Sequence, residues 1–94
     1  MVLHCLNAQA HSDTFRRCLE LATSKDTVIL MGDACYAALS ESDVAKQLAD
    51  CHAQLRVLDA DALARGLRDL ALESVDYEGW VALSEQHTQQ LAWY

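Results

Sequence analysis

The sequence predicts an α/β protein: one small domain over residues 1–94, with three α/β/α layers built on a mostly parallel, five-stranded sheet. Two observations predict this class. The run from Val28 to Met31 is continuously apolar and includes two β-branched residues, which is typical of a strand buried on both faces of a parallel sheet. Segments with helical spacing alternate with such short apolar runs, as in strand-helix-strand units with right-handed crossovers.

Five short segments are predicted strands, bounded by polar or small residues. In chain order they are Val2–Leu6, Val28–Met31, Leu55–Leu58, Leu72–Val75 and Leu91–Tyr94. The second is predicted to lie at the centre of the sheet. The last is predicted to be an edge strand.

The first helix is predicted to begin at Ser12 or Asp13, since either side chain can cap it. Its buried stripe follows the i, i+3, i+4, i+7 spacing and comprises Phe15, Cys18, Leu19 and Ala22. A turn and a short helix are expected over Gly32 to Leu39. Ser40 and Asp43 have the spacing of a capping box. The apolar face that follows comprises Val44, Leu48 and Cys51.

Two further helices are predicted in the second half of the chain. Asp59 is expected to cap a short helix, with Gly66 as the residue just past its end. Asp76 is expected to cap the last helix, which ends near His87. One side of that helix comprises Tyr77, Trp80, Val81 and Ser84. Its two aromatic residues are predicted to be core residues.

The excess of acidic side chains disfavours binding to nucleic acids and to anionic membranes. Fourteen acidic and seven basic side chains give a formal net charge of −7, and the largest basic cluster is Arg16-Arg17. Because proteins grip nucleic acids largely by neutralising phosphates, we expect no direct binding to RNA or DNA. An anionic membrane surface would repel the chain in the same way.

The start of the chain and the cysteines indicate the compartment. Val2–Leu6 follows the first residue without a basic region or cleavage site, and no apolar run reaches the length of about 20 residues needed to span a membrane. These features predict a cytoplasmic protein. Its four cysteines, Cys5, Cys18, Cys35 and Cys51, are then expected to be thiols.

Cofactor and metal sites are not predicted. The turn after the central strand has a single glycine, Gly32, followed by the acidic Asp33, whereas a phosphate site needs several glycines. Close pairs of metal-ligand residues are limited to His4-Cys5 and Cys51-His52, and adjacent side chains in a strand point apart. We therefore expect neither a cofactor nor a metal.

Thiol chemistry is the remaining catalytic possibility. Cys35 lies near the start of a predicted helix, which lowers a thiol pKa, although Asp33 opposes this effect. Cys18 lies on the apolar side of the first helix, at the edge of the stripe and next to Arg17. Both cysteines stand as candidates, and an unreactive buried thiol is the alternative for each.

The chain also has features of an interacting protein. A domain of this length has a thin core, while 52% of its residues are apolar, so we expect apolar surface to remain for a partner. Trp93 and Tyr94 are residue types enriched at interfaces and lie at the end of the sequence. An oligomer is the default expectation.

Several short motifs occur in a specific order over nearly the whole chain. They are Leu3-His4, Cys18-Leu19, Leu21-Ala22, Gly32-Asp33, Tyr36 to Leu39, Leu58 with Asp61, Ala64 to Leu67, Val75 to Val81 with Leu83, Glu85 with His87, and Ala92-Trp93. In this order and spacing the chain resembles the DsrH/TusB family, the smallest of the DsrEFH-like sulfur-relay proteins.

This resemblance implies a hetero-oligomer. Family members assemble with two homologous subunits, TusC-like and TusD-like, into a heterohexamer with two copies of each. In the TusBCD form of this heterohexamer, the complex accepts persulfide sulfur from TusA and passes it to TusE for 2-thiolation of the tRNA wobble uridine. The chain would then be an accessory subunit that mainly builds a sulfurtransferase complex.

The resemblance also bears on the cysteines. The principal sulfur-carrying cysteine of the family belongs to the TusD-like subunit, whereas Cys18 matches a cysteine of DsrH-type members. Cys18 is therefore the candidate persulfide carrier of this chain, and Cys35 stands where the family usually has a small apolar residue. Two alternatives remain: a DsrH-type subunit in sulfur oxidation, and a small interaction module with no role in sulfur chemistry.

Overall fold

The computed structural model describes residues 1–39 and 42–94 and contains a five-stranded sheet. The strands are β1 Val2–Leu6, β2 Thr27–Leu30, β3 Gln54–Leu58, β4 Glu73–Val75 and β5 Gln89–Trp93. They lie in the order β4-β3-β2-β1-β5, and every neighbouring pair is parallel. All residues of the central strand β2 are buried. The predicted fold class and central strand are confirmed, with a wholly parallel sheet.

Helices cover both faces of the sheet. They are α1 Asp13–Leu21, a 3₁₀ helix Gly32–Ala38, α2 Ala45–Asp50, α3 Asp59–Ala64 and α4 Tyr77–Gln86. From β1 to β4 the chain crosses the sheet in one direction, so right-handed connections place α1, α2 and α3 on one face. The connection to β5 returns across the sheet, so α4 lies on the other. Within the described residues, no helix is long and apolar enough to cross a membrane.

The two faces differ in how completely they are covered. The main core lies under α1 and α2, where Phe15 and Leu48 pack against the sheet. On the opposite face the buried apolar residues are Leu3, Cys5, Ile29 and Leu58. There α4 contributes Trp80 and Leu83, both only partly buried. The layer formed by α4 is therefore thin.

Most predicted helix ends are confirmed. Ser12 Oγ accepts a hydrogen bond of 3.1 Å from the Phe15 N–H and caps α1, whose whole predicted stripe is buried. Asp76 Oδ1 accepts one of 2.7 Å from the Gly79 N–H and caps α4. These bonds satisfy N–H groups that have no partner inside the helix.

Gly66 closes α3 as predicted. It adopts a φ of +67°, and its N–H donates to the Leu63 carbonyl at 3.0 Å. The Leu67 N–H donates to the Ala62 carbonyl, also at 3.0 Å. This pair of bonds is the Schellman arrangement that a glycine in the left-handed region makes possible.

Three details of the prediction need correction or fall outside the described residues. Asp59 does not cap α3: it is the first helical residue, and Leu58 holds the capping position because β3 runs straight into the helix. Tyr77 is not a core residue, since it is 56% exposed. The proposed capping box of Ser40 and Asp43 includes Ser40, which lies outside the described residues.

The exposure of Tyr77 has a structural cause. Trp80, Leu83 and His87 face the sheet. Of the predicted side of α4, only Trp80 belongs to this face. His87 Nδ1 donates to the Leu83 carbonyl, and its Nε2 accepts from the Thr27 hydroxyl of β2 at 3.1 Å. This polar link to the sheet orients the helix, and the predicted side turns outward.

Candidate functional site

The turn after β2 lies at the carboxyl edge of the sheet, where ligand sites gather in open α/β proteins. Gly32 has a φ of +53°, and a Cβ here would overlap Oδ1 of Asn7, in the loop after β1. The Gly32 N–H donates a hydrogen bond of 2.7 Å to Asp61 Oδ2 of α3. Two neighbouring segments therefore hold the turn in a conformation that suits glycine.

Arg65 balances part of the acidic charge around this turn. Its Nη2 lies 3.4 Å from Asp33 Oδ1, and its Nη1 donates to the Asp61 carbonyl at 3.2 Å. The groups that an anion would need are the Gly32 N–H and the Arg65 guanidinium. Both already bind other parts of the chain, so this arrangement stiffens the edge of the sheet instead of opening a phosphate cradle.

Cys35 lies in the 3₁₀ helix directly after the turn. Its side chain is buried, and its Sγ donates to the Leu30 carbonyl at 3.6 Å. Burial, followed by the negative charge of Asp61, raises the pKa of the Cys35 thiol to about 11. Because the thiolate is the reactive form, this environment keeps Cys35 protonated and unreactive at neutral pH.

Cys18 lies on the buried side of α1, within the main core. Burial, together with the nearby Cys51 and Cys5, raises the pKa of the Cys18 thiol to about 12. The sulfur is not exposed to solvent in this conformation. The predicted role of Cys18 as a persulfide carrier stays a prediction, and it requires movement of α1.

The other two cysteines lie in different settings. Cys5 is buried on the α4 face, where burial raises the pKa of its thiol although Gln90 Nε2 donates to its Sγ at 3.3 Å. Cys51 follows α2 and is half-buried; of the four cysteines, all of them described, it alone is not fully buried. Its Sγ lies 3.6 Å from the Leu19 carbonyl oxygen, to which it donates.

Cys51 lines a groove between α1 and α2 with a volume of about 340 Å³. The other lining residues are Arg16, Leu19, Glu20, Gln47, Asp50 and His52. The groove carries both basic and acidic side chains, and Arg16 is already paired with Glu20 at 3.2 Å. Within the described residues, this groove gives a thiol the most direct access to solvent.

A buried polar network links β1, the residue before β2 and β5, and none of its members is a cysteine. Asp26, just before β2, accepts hydrogen bonds from the Val2 N–H at 2.9 Å, the Thr23 N–H at 3.0 Å and His4 Nε2 at 3.1 Å. Burial raises the pKa of the Asp26 carboxyl, but these bonds outweigh it and hold the pKa well below its usual range. Asp26 is therefore a stable buried carboxylate.

The network continues to β5. Trp93 Nε1 lies 3.1 Å from His4 Nδ1. An indole N–H can only donate, so Nδ1 of His4 must accept and the ring proton must lie on Nε2, facing Asp26. The direction of every hydrogen bond in this network is thus determined, and Trp93 ties the edge strand to β1.

Metal binding has no structural support in the part of the chain that is described. Among residues 1–39 and 42–94, no group of three His, Cys, Asp or Glu side chains could hold a metal ion. The adjacent pairs noted in the sequence, His4-Cys5 and Cys51-His52, gain no third ligand from elsewhere in these residues.

Sequence reasoning identified Cys18 and Cys35 but missed the groups around them. The buried network joins residues that are 22 and 89 positions apart, so local spacing carries no signal for it. An acidic Asp26 two residues before the continuously apolar run from Val28 to Met31 is a weak signal for a buried carboxylate. Cys51 is predicted on the apolar helix face with Val44 and Leu48, and its partial exposure beyond the end of α2 is not predicted from the spacing.

Comparison with known proteins identifies the family. The model of the family described as DsrH like protein matches residues 8–90. The chain is 42% identical over 78 residues to proteins named TusB from Yersinia pestis and from Yersinia pseudotuberculosis. Each match covers 80% of this chain and 82% of the relative.

The fold is also found in a solved structure. The solution structure of protein Tm0979 from Thermotoga maritima superposes with a TM-score of 0.73 over 93% of this chain and 94% of that one. At 20% sequence identity this likeness shows a shared fold. The family match over most of the chain and the identity to the TusB proteins go further: this chain belongs to the DsrH-like family.

Proposed function

We propose that this chain is a subunit of a cytoplasmic sulfur-relay complex that passes persulfide sulfur from a TusA-type donor to a TusE-type acceptor, for 2-thiolation of the tRNA wobble uridine. The observation that carries the proposal is the 42% identity to TusB proteins over most of both chains. The TusC-like and TusD-like homologues are its proposed partners.

Charge supports a role that does not involve direct contact with tRNA. The net charge of −7 opposes binding to a polyanion. A subunit that meets only proteins has no need of a basic surface. The thin α4 layer, with Tyr77 exposed, also leaves apolar surface for partner subunits.

The sulfur step itself is a thiol-persulfide exchange. A cysteine thiolate attacks the outer sulfur of the donor persulfide, a new sulfur-sulfur bond forms on the attacking cysteine, and the donor leaves as a thiolate. No oxidant or reductant is consumed. The rate depends on thiolate fraction and on access to the attacking sulfur.

Thiolate fraction and access to the sulfur decide whether Cys18 can carry sulfur. Cys18 is the proposed carrier, but its burial and raised pKa oppose attack in the closed conformation. If this chain carries sulfur through Cys18, a partner subunit or the donor must open α1. If it carries none, it serves as a structural subunit and the sulfur passes through a TusD-like cysteine.

Co-purification tests membership in the complex. A tagged copy of the chain, expressed with its two homologues, is expected to retain both in a stable assembly. A tagged chain that retains neither homologue contradicts the proposal.

Mass spectrometry of the assembled complex after exposure to a persulfide donor tests the carrier role. A mass increase of one sulfur on Cys18, lost in Cys18→Ser and kept in Cys51→Ser, supports it. An unmodified Cys18 in a complex that still transfers sulfur assigns the chain a structural role.

The second candidate is a DsrH-type subunit in sulfur oxidation. The matching family model and the presence of Cys18 favour it. The two functions differ in what a gene deletion changes: thiolated tRNA in the first, and oxidation of reduced sulfur compounds in the second. The identity to TusB proteins is the reason for placing tRNA thiolation first.

A further inference from the structure

The hydrogen bond between His4 and Trp93 joins the first strand of the sheet to the last. The Trp93 indole N–H donates to His4 Nδ1 at 3.1 Å. His4 is buried, and Trp93 is partly buried against the main core. Beyond its backbone ladder with β1, the carboxyl-terminal end of β5 is therefore held by one side-chain bond to a buried imidazole.

This bond exists only while Nδ1 of His4 carries no proton. An indole N–H can only donate, so a second proton on the imidazole would set two N–H groups against each other. The imidazolium itself stays in place, because its Nε2–H is bonded to Asp26 Oδ2 at 3.1 Å and that bond strengthens when both groups are charged. The group that has to move is the Trp93 indole.

His4 is the member of this network that takes up a proton first as the pH falls. An indole does not titrate, and despite burial three hydrogen bonds hold the pKa of the Asp26 carboxyl well below its usual range. Imidazole is the side chain whose charge ordinarily changes between about pH 5 and pH 8.

The other elements packed around His4 bring no further charge toward it within the described residues. Val28 of β2 and Leu91 of β5 are its register partners, and neither titrates. On α1, burial raises the pKa of the Cys18 thiol to about 12, so that thiol stays neutral. The charged groups of α1, of α2, of the loop before β2 and of the chain ends are at exposed residues: Asp13, Arg16, Arg17, Glu20, Lys46, Asp50, Lys25, Met1 and Tyr94.

The start of β5 is attached to β1 independently of this bond. The Thr88 hydroxyl donates to the Met1 carbonyl at 2.9 Å, and the Thr88 N–H donates to the same carbonyl at 3.2 Å. At the other end, the Trp93 carbonyl accepts from the Asn7 N–H at 2.8 Å. Loss of the indole bond therefore loosens the end of the strand, while its start stays attached.

We propose that His4 and Trp93 form an acid-sensitive switch, in which protonation of His4 Nδ1 releases the Trp93 indole and loosens the carboxyl-terminal end of β5. The proton binds the Nδ1 lone pair, the imidazolium pairs with Asp26, and the indole N–H turns to water. The inference goes beyond the proposed function and does not depend on it.

NMR of an isotope-labelled Trp80→Phe variant tests the switch, since Trp93 is then the single tryptophan. The spectra follow the protonation of the His4 ring and the exchange of the indole N–H with solvent. The protection factor of that N–H is its exchange rate in free indole divided by the rate in the protein. We expect it to fall about tenfold or more between about pH 8 and pH 5, in step with proton uptake by His4. The backbone amide of Val28 in the central strand is expected to keep its protection.

His87→Gln provides the matched control. His87 is a second imidazole that contacts the sheet, but it binds the Leu83 carbonyl and the Thr27 hydroxyl instead of Trp93. This variant is expected to keep the full pH response of the indole. His4→Gln removes the titrating ring and is expected to abolish the response. If His4→Gln does not fold, the titration of His4 in the Trp80→Phe protein decides by itself.

Four results overturn the proposal. They are a His4 ring that stays neutral down to pH 5, an indole protection factor that is equal at both pH values, a response that persists in His4→Gln, and a loss of protection that Val28 shares, which would indicate global unfolding. None of these results bears on co-purification with homologues, so the proposed function is tested separately.

Discussion

Asp26→Asn is the most informative single substitution for the fold. The carboxylate accepts three hydrogen bonds, two from the backbone of Val2 and Thr23 and one from His4 Nε2. An amide can keep its oxygen toward Thr23 and His4, but its NH₂ group then faces the Val2 N–H. That leaves both the Val2 N–H and the new NH₂ group without an acceptor and turns charge-assisted bonds into neutral ones.

The expected loss follows from these counts. An unsatisfied buried donor costs about 1–3 kcal/mol, and the weaker neutral bonds add to this cost. We expect Asp26→Asn to lower the free energy of unfolding by about 2–3 kcal/mol at neutral pH. That is a substantial part of the total for a domain whose stability is on the order of 5–15 kcal/mol.

The pH dependence gives a second, independent signature. The folded-state pKa of Asp26 lies below its unfolded value, so the ionised carboxylate stabilises the fold above the unfolded pKa of about 3.9. That contribution is lost as the pH falls from about 4 toward the folded-state pKa. The stability difference between wild type and Asp26→Asn should therefore shrink below about pH 4.

Urea unfolding at a series of pH values measures both effects. Asp50→Asn, which removes an exposed carboxylate from α2, serves as the control and is expected to change stability by less than about 0.5 kcal/mol. Trp93→Phe removes the indole N–H that binds His4 Nδ1 together with part of a ring that packs against the main core, and it is expected to cost about 1–2 kcal/mol. Equal stability and equal pH dependence for wild type and Asp26→Asn would refute this account of the network.

Two further predictions concern the turn after β2 and the thiols. Gly32→Ala is expected to destabilise the fold by about 1 kcal/mol more than Gly66→Ala. Both glycines have positive φ, but only at Gly32 does the added methyl group overlap Asn7. Equal unfolding midpoints of the two variants in urea would be inconsistent with this. In pulse alkylation of the folded chain with iodoacetamide, Cys51 is expected to react well before Cys18, because the Cys18 thiol is buried and its pKa is raised to about 12. Equal labelling rates of the two cysteines, measured by mass spectrometry, would argue against the burial of Cys18 beneath α1.

The fold was largely predictable from local pattern. The apolar run around Ile29 is short, β-branched and without alternation, which favours a strand covered on both faces, and it lies at the centre of the sheet. The stripe of α1 follows from helical spacing, and the burial of Cys18 follows from its place in that stripe. The face of α4 was not predictable in this way, because a contact from His87 to Thr27 of β2 sets its rotation.

The candidate site was less predictable, for a physical reason. Glycine at position 32 signals a turn, but nothing near it in sequence shows that Asp61 and Asn7 close that turn. The pairing of His4 with Trp93 arises only because the last strand lies beside the first. Such contacts depend on topology, which local spacing does not encode.

The 2-thiouridine content of tRNA from a strain that lacks this gene tests the central claim most directly. Digestion of bulk tRNA and mass spectrometry of the nucleosides measure it, with wild-type complementation as the control. We expect deletion to remove 2-thiolation at the wobble position and the wild-type gene to restore it. Unchanged 2-thiouridine in the deletion strain would contradict the proposed function.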